Sequence, residues 1–153
     1  MTKKYLMTPG PTPVPEEIRA EMAKPIIHHR TKEYQAIFKD ATEGLRKIFK
    51  TSNDVYTFTS SGTGAMEAAV SNLTSPGDQV LVVSAGKFGE RWESLAKAYG
   101  CQVETVRSDY GQTVTPQQVK EKLKPGHAVL YMQASESSTG TRHDVQGIAA
   151  LLK

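Results

Sequence analysis

The sequence predicts an α/β fold, with a mainly parallel sheet and helices on both of its faces. From residue 55 onward, short apolar runs alternate with segments that favour helices. Three loops rich in Gly, Ser and Thr, at residues 60–64, 84–89 and 134–140, each follow a predicted strand. Ligands of such sheets bind at the carboxyl ends of the strands, so these loops are where a ligand site is expected.

Residues 1–30 are predicted to form an extended arm and one short helix at 16–22. The arm carries four prolines, which fix φ and remove backbone donors: Pro9, Pro11, Pro13 and Pro15. It is either a loose tail or an extended segment that lies across another surface. His28 and His29 are adjacent and should point in different directions, so they are predicted to be a surface pair and no metal site is assigned.

Thr31 is predicted to cap an amphipathic helix whose apolar face packs into the core. The apolar positions recur at helical spacing: Tyr34, Ile37, Phe38, Ala41, Leu45, Ile48 and Phe49. Strands are predicted at 55–59, 79–83, 103–106 and 128–132, and the helices between them at 63–73, around Trp92 and at 116–123. A last helix is predicted to start at Asp144 and to run to Lys153. A four-stranded open sheet would leave an edge exposed, which suggests part of a longer fold or a subunit that pairs with another chain.

The loop at residues 60–64 is predicted to bind an anion, with phosphate as the usual occupant. A sharp turn into a helix leaves unpaired N–H groups, and the helix dipole favours negative charge there. An ordinary tight turn with a capping Ser or Thr is the alternative. Glu67 stands where a dinucleotide fingerprint needs its third Gly, and the loop lacks the Gly-Lys-Ser/Thr ending of a P-loop. NAD and ATP are therefore disfavoured.

Composition narrows the class of protein further. The net charge of +3, with Lys and Arg interleaved among acids, does not indicate nucleic-acid binding. Cys101 is the only cysteine, which excludes an intrachain disulfide, fits a reducing compartment and predicts a small core residue. No apolar run has the length of a membrane span and the N-terminus lacks the apolar core of a signal peptide, so a cytoplasmic protein is expected. Phe88, between two glycines, either stacks on a planar ligand ring or is buried under the following helix.

Four segments together resemble class V pyridoxal-phosphate aminotransferases, and most of all the alanine–glyoxylate and serine–pyruvate branch. They are Thr8-Pro9-Gly10-Pro11-Thr12, Ser61-Gly62-Thr63-Gly64-Ala65-Met66-Glu67-Ala68, Gly86-Lys87-Phe88-Gly89-Glu90-Arg91-Trp92 and Glu136-Ser137-Ser138-Thr139-Gly140. The matches occur in the family's order and extend over almost the whole chain.

The resemblance implies the large domain of fold-type-I enzymes, of which residues 31–153 would be an incomplete copy, and a homodimer with sites at the subunit interface. Ser61, Gly62 and Thr63 match the residues that hold the phosphate of pyridoxal 5'-phosphate. Phe88 matches the aromatic residue that stacks on the pyridine ring, and Ser137 a hydroxyl near the ring oxygen. Gly10 matches an arm that lines the substrate pocket. The family moves an amino group from a small amino acid to a 2-oxo acid such as glyoxylate or pyruvate.

The family's Schiff-base Lys, its pyridine-nitrogen Asp and its carboxylate-binding Arg all correspond to positions beyond this sequence, so no catalytic residue is assigned. The Schiff-base role is assigned neither to Lys87 nor to Lys153. The chain is therefore expected to be inactive without a complementary C-terminal half. The alternatives are a non-catalytic subunit that binds pyridoxal phosphate or another phosphate ester, a structural fragment, and a lyase or desulfurase relative, in which a His would be expected where Phe88 stands.

Overall fold

The computed structural model describes residues 5–152. The chain divides into two compact units, Met1–Thr59 and Ser60–Lys153. The first contains helices α1 (Glu16–Met22) and α2 (Lys32–Phe49). The second contains α3 (Gly62–Leu73), β1 (Gln79–Ser84), α4 (Lys87–Ala98), β2 (Gln102–Arg107), α5 (Pro116–Lys122), β3 (His127–Tyr131), β4 (Ser135–Glu136), β5 (Thr141–Arg142), α6 (Val145–Ala149) and a 3₁₀ turn (Ala150–Leu152).

Helix α2 begins at the predicted cap, because the Thr31 hydroxyl accepts a hydrogen bond from the Tyr34 N–H at 3.2 Å. It ends at Lys50, which adopts the left-handed conformation with φ of 51°. The prediction that its apolar face is core is wrong for this chain, since no residue of α2 is buried. Ile48 and Phe49 are 74% and 66% exposed. The amphipathic pattern specifies a helix, but no described element of the Met1–Thr59 unit covers its apolar face.

Two further predictions in the first unit need correction. Residues 55–59 form no strand, because they pair with no other strand among the described residues, and Tyr56 and Phe58 are 76% and 57% exposed. Their composition favours an extended backbone, but a strand also needs a neighbour to accept its hydrogen bonds. His28 and His29 are exposed as predicted, but their rings do not diverge. They stack with centroids 4.6 Å apart.

The second unit is built on a parallel sheet with the strand order β2-β1-β3. Strand β1 is central, and five of its six residues are buried, which explains its near-continuous apolar sequence. Val82 lies opposite Thr105 on one side and Tyr131 on the other. The predicted α/β class with a parallel sheet is thus confirmed, with three parallel strands among the described residues instead of four.

Helices cover both faces of this sheet. On one face α3 and α4 pack on alternate residues of β1, with Val70, Val80, Val82 and Ala96 at the centre and Cys101 beside them, as predicted for a core cysteine. On the other face α5 and α6 contribute to a second cluster: Leu81, Val83, Val106, Val114, Val119 and Ile148. The period-2 alternation of a strand therefore sends neighbouring β1 side chains into two separate cores.

The polar segment 134–140 is more ordered than a loop. Its first residues form β4, which pairs antiparallel with β5 to make a short hairpin. Gly140, in the turn, has φ of 74°, a conformation that favours glycine. After the hairpin, Asp144 accepts a hydrogen bond from the Gly147 N–H at 2.9 Å and caps α6 as predicted. The helix tightens to 3₁₀ over Ala150–Leu152, and its predicted continuation to Lys153 lies outside the described residues.

Within residues 5–152, none of the helices combines the length and the apolar character that crossing a membrane requires.

Candidate functional site

Helix α3 differs from the other helices of its unit in how it begins. Thr115 caps α5 in a capping box, Asp144 caps α6, and side chains of the hairpin accept from the first turn of α4. Ser61, at the N-cap of α3, makes no such side-chain hydrogen bond. Within the described residues, the N–H groups of Gly62 and Thr63 have no protein acceptor, whereas the Gly64 N–H donates to the Ser61 carbonyl at 2.9 Å.

The space beside Gly62 is empty. A Cβ placed on Gly62 would meet no atom within 4 Å, so no other group packs against this side of the first helical residue. Ser60 folds the other way: its hydroxyl donates to the Ser61 carbonyl at 2.9 Å, and its side chain occupies the room that Gly64 leaves. Residues 61–63 thus present donors and the positive end of a 12-residue helix to an incoming anion.

A guanidinium lies next to this helix end. Arg91, on α4, donates from Nη1 to the Thr63 hydroxyl at 2.9 Å. Its central carbon lies 5.1 Å from the centroid of the Phe88 ring, which is the geometry of a cation–π contact. Arg91 therefore connects the predicted phosphate site with the predicted ring-stacking residue, although the sequence reasoning gave it no role.

Phe88 lies in the first turn of α4 and is half-buried. Phe88 and Ser137 line one cavity of about 330 Å³, together with Met66, Trp92, Met132, Gln133 and Ser135. The cavity thus brings together two of the predicted cofactor residues from segments far apart in the sequence. Its walls are aromatic and thioether side chains with a few polar groups, a composition that suits a flat heterocycle.

Glu136 is the residue that ties these segments together, and it was missed as a functional residue. It is fully buried, and its carboxylate accepts hydrogen bonds from the backbone N–H groups of Phe88 and Gly89 at 3.2 and 3.0 Å. Burial by itself raises the pKa of Glu136. Hydrogen bonds from Ser138, from the backbone of Gly89 and Phe88 and from Gln133 outweigh it and hold the pKa below the ordinary carboxyl value.

His143 is a second buried titratable group near this site. It is 3% exposed, and burial lowers its pKa, against the opposing influences of the Gln133 backbone and of Glu136. No sequence signal separated it from an exposed histidine, because its neighbours Arg142 and Asp144 are polar.

Lys87 lies close to Phe88 but has the wrong electrostatics for a Schiff base. Its ammonium pairs with Glu90 at 2.9 Å and lies 5.7 Å from the centroid of the Tyr110 ring. Hydrogen bonds to Glu90 and Tyr110, and their charges, raise the pKa of Lys87. A nucleophilic lysine needs the opposite shift, towards the neutral amine. Among the described residues, no group of three or more His, Cys, Asp and Glu is placed to hold a metal ion.

Gly10 belongs to the Met1–Thr59 unit, where it is exposed beside the hydrogen bond from the Thr8 hydroxyl to the Pro11 carbonyl at 3.2 Å. Its substrate-binding role stays a prediction, as do the cofactor roles of Ser61, Gly62, Thr63, Phe88 and Ser137.

The comparison with known proteins identifies the class. The sequence profile of the family described as aminotransferase class-V matches residues 4–153, so the chain belongs to that family. An uncharacterized aminotransferase of Methanocaldococcus jannaschii is 40% identical in an alignment that covers 99% of this chain and 40% of that protein. The L-aspartate–glyoxylate aminotransferase of Paracoccus denitrificans is 34% identical over 96% of this chain and 38% of its own length.

Solved structures agree on the fold. The subgroup IV aspartate aminotransferase of Thermus thermophilus superimposes with a TM-score of 0.91 at 40% identity, over 98% of this chain and 42% of that one. The alanine–glyoxylate aminotransferase of Nostoc gives 0.88 at 29% identity, over 99% and 41%. These comparisons confirm the resemblance to class V aminotransferases and the fold-type-I class. The chain spans about 40% of the length of these relatives.

Proposed function

We propose that this chain is the cofactor-binding N-terminal portion of a pyridoxal-phosphate aminotransferase. One observation supports this proposal most. The N–H groups of residues 62 and 63, which have no acceptor among residues 5–152, lie in the same unit as the cavity lined by Phe88 and Ser137, and Arg91 contacts both Thr63 and Phe88. Residues 61–63 would hold the phosphate, Phe88 would stack on the pyridine ring, and Ser137 would hydrogen-bond to the ring oxygen. When bound, the cofactor supplies an electron sink for the α-carbon of the amino acid.

The substrates would be a small amino acid and a 2-oxo acid such as glyoxylate or pyruvate. Two of the relatives named above support this assignment, since they are an L-aspartate–glyoxylate and an alanine–glyoxylate aminotransferase. Gly10 would line the substrate pocket. The same proposal divides the chain into an arm at residues 1–30 and an incomplete cofactor-binding domain at 31–153. It also includes a cytoplasmic location, which the single cysteine supports.

Group transfer would require residues from outside this chain. No lysine among the described residues lines the cavity, and Lys87 is held protonated by Glu90. A complementary C-terminal half, with a homodimer as the assembled form, would supply the missing groups. The uncovered apolar face of α2 supports the existence of a partner surface, because Ile37, Phe38, Ile48 and Phe49 are all more than half exposed.

Cofactor binding is tested by titrating the chain with pyridoxal phosphate and with pyridoxal, which lacks the phosphate. Trp92 lines the cavity and is the only tryptophan, so its fluorescence reports on this site. Ser61→Asp places a negative charge at the helix end and should weaken binding of pyridoxal phosphate at least about tenfold. Binding of pyridoxal should change little. The matched control is Ser71→Asp, at an exposed position near the other end of the same helix.

Equal affinity of the wild type and Ser61→Asp for pyridoxal phosphate would contradict the phosphate assignment. Transfer is tested separately, by following product formation from an amino acid and glyoxylate. The chain alone should give none, and adding the remaining segment of a full-length relative should restore it. Transfer by the chain alone would overturn the proposed need for a second half.

The non-catalytic alternative predicts the same cofactor affinity but no transfer after reconstitution. The observation that favours it is the absence of a lysine from the cavity lining among the described residues. The desulfurase alternative is disfavoured by Phe88, where a His would be expected.

A further inference from the structure

The buried carboxylate of Glu136 accepts more hydrogen bonds than are needed to cap the first turn of α4. One carboxylate oxygen accepts from the Phe88 N–H at 3.2 Å and from the Ser138 N–H and hydroxyl at 3.3 and 2.5 Å. The other accepts from the Gly89 N–H at 3.0 Å and from the Gln133 side-chain amide. These five donors more than fill the acceptor capacity of an ionised carboxylate, which is about four lone-pair positions.

All of these donors are neutral. Among the described residues, no Lys, Arg or His forms an ion pair with Glu136. The carboxylate is nevertheless fully buried. A buried charge without a counter-ion persists only where hydrogen bonds replace its hydration. The local structure is therefore organised to keep a negative charge at this one position.

The bonds join two segments that are remote in sequence. Phe88 and Gly89 lie in the first turn of α4, 48 and 47 residues from Glu136. A parallel link runs from the Lys87 N–H to the Ser138 hydroxyl at 3.0 Å. The start of α4 is thus attached to the hairpin by at least three hydrogen bonds, all of which involve Glu136 or its partner Ser138.

The backbone opposite the carboxylate leaves room for it. A Cβ on Gly86 would lie 2.6 Å from Glu136 Cγ and 2.6 Å from the Ser138 hydroxyl. Only glycine at this position lets the chain before α4 approach the carboxylate so closely.

The two segments joined in this way carry the two residues expected to contact the cofactor ring. Phe88 is bonded to Glu136 through its own N–H, and Ser137 lies between Glu136 and Ser138 in the sequence. Both line the cavity of about 330 Å³. We propose that Glu136 is a positioning residue for the ring, which fixes Phe88 relative to Ser137 across this cavity. That the ring belongs to pyridoxal phosphate rests on the proposed function, whereas the attachment of Phe88 to Glu136 does not.

The test is Glu136→Gln in the full chain, with Glu121→Gln on the exposed face of α5 as the control for the same chemical change. Gln presents an N–H₂ group to N–H donors, so part of the link should be lost. The first readout needs no ligand. Amide hydrogen exchange at residues 88 and 89 should accelerate by about tenfold or more relative to the amides of β1, and Glu121→Gln should leave it unchanged. Unaltered exchange in Glu136→Gln overturns the proposal.

The second readout compares two probes, pyridoxal phosphate and inorganic phosphate. Glu136→Gln should weaken binding of the cofactor about tenfold and leave the affinity for phosphate unchanged, because the hydrogen bonds of Glu136 go to Phe88, Gly89, Gln133 and Ser138 and not to residues 61–63. Equal weakening of both would indicate general loosening and would refute a positioning role. If the wild type binds no pyridoxal phosphate, the proposed function fails, while the exchange readout still decides whether Glu136 fixes Phe88.

Should Glu136→Gln not fold, Ser138→Ala provides the second variant. It keeps the charge and removes the hydroxyl that donates to Glu136 and accepts from Lys87. Exchange at residues 87 and 88 should accelerate in the same direction by a smaller factor, and no change there would overturn the proposal.

Discussion

Gly89 of α4 lies directly against the backbone of β1, and Gly89→Ala is expected to destabilise the Ser60–Lys153 unit. An added Cβ would lie 2.5 Å from Ser84 Cα, 3.0 Å from the Ser84 hydroxyl and 3.0 Å from the Val83 carbonyl oxygen. Non-bonded carbons rest at about 3.5–4.0 Å, so the start of α4 would have to move by about 1 Å. Backbone atoms of a central strand cannot give way as a flexible side chain can.

Two opposing contributions determine the change in the free energy of unfolding. Overpacking of a fitted interior costs about 1–3 kcal/mol, and replacing a helical Gly by Ala contributes up to about 1 kcal/mol in the stabilising direction. Gly89→Ala should therefore lower the free energy of unfolding by at most about 3 kcal/mol, and by about 1.5 kcal/mol at the middle of the two ranges. The displacement should also lengthen the hydrogen bond from the Gly89 N–H to Glu136.

Urea unfolding followed by Trp92 fluorescence measures this, because the only tryptophan lies on α4 and stacks on Tyr131 with centroids 5.0 Å apart. The control is Gly126→Ala in the same unit, where the nearest atom to an added Cβ is Gln79 Oε1 at 3.4 Å. That variant should stay within about 0.5 kcal/mol of the wild type. Equal midpoints for the two variants would refute the argument that α4 is seated against the β1 backbone.

Two further predictions concern charge. Arg91→Gln removes the guanidinium that contacts Thr63 and Phe88, so it should weaken binding of inorganic phosphate about two- to fivefold and reduce its dependence on salt. Titrations at several ionic strengths measure this, and identical salt slopes for variant and wild type would contradict it. Burial lowers the pKa of His143 in the folded chain, so the unfolded chain binds more protons once the pH falls below about 6.5. Above pH 6.5, His143 should not affect the free energy of unfolding. Below that pH, the free energy of unfolding should fall by at most about 1.4 kcal/mol per pH unit. His143→Gln should remove this part of the slope in urea unfolding at a series of pH values, and an unchanged slope would show that His143 is not the group responsible.

The sequence predicts a helix or strand best where the interactions that form it lie within one short segment. β1 is an apolar run because both of its faces are covered, and the Thr31 cap of α2 needs only Tyr34 three residues away. Residues 55–59 are rich in β-branched residues as β1 is, yet they pair with no strand in the part of the chain that the structure describes. Strand formation depends on a neighbour whose position the segment does not encode.

The candidate site follows the same division. Residues 61–63 and Phe88 are recognisable because glycines and hydroxyls are concentrated around them. Glu136 is not, since a glutamate in a polar loop is usually solvated. Its burial depends on donors 47 and 48 residues away, which only the folded chain brings together.

A comparison of the first turns of α3 and α4 explains why an anion is expected to bind at α3. Both helices belong to the same unit and follow a loop of small residues, and both have a positive end. At α4 the first three N–H groups donate to Ser138 and Glu136, so a protein carboxylate already occupies the position that an anion would take. At α3 the N–H groups of Gly62 and Thr63 have no protein acceptor among the described residues. Two negative groups near one helix end repel each other, so a phosphate is disfavoured at α4 and favoured at α3. The Glu136 carboxylate therefore occupies the start of α4, whereas among the described residues the start of α3 keeps two donors that an anion can bind.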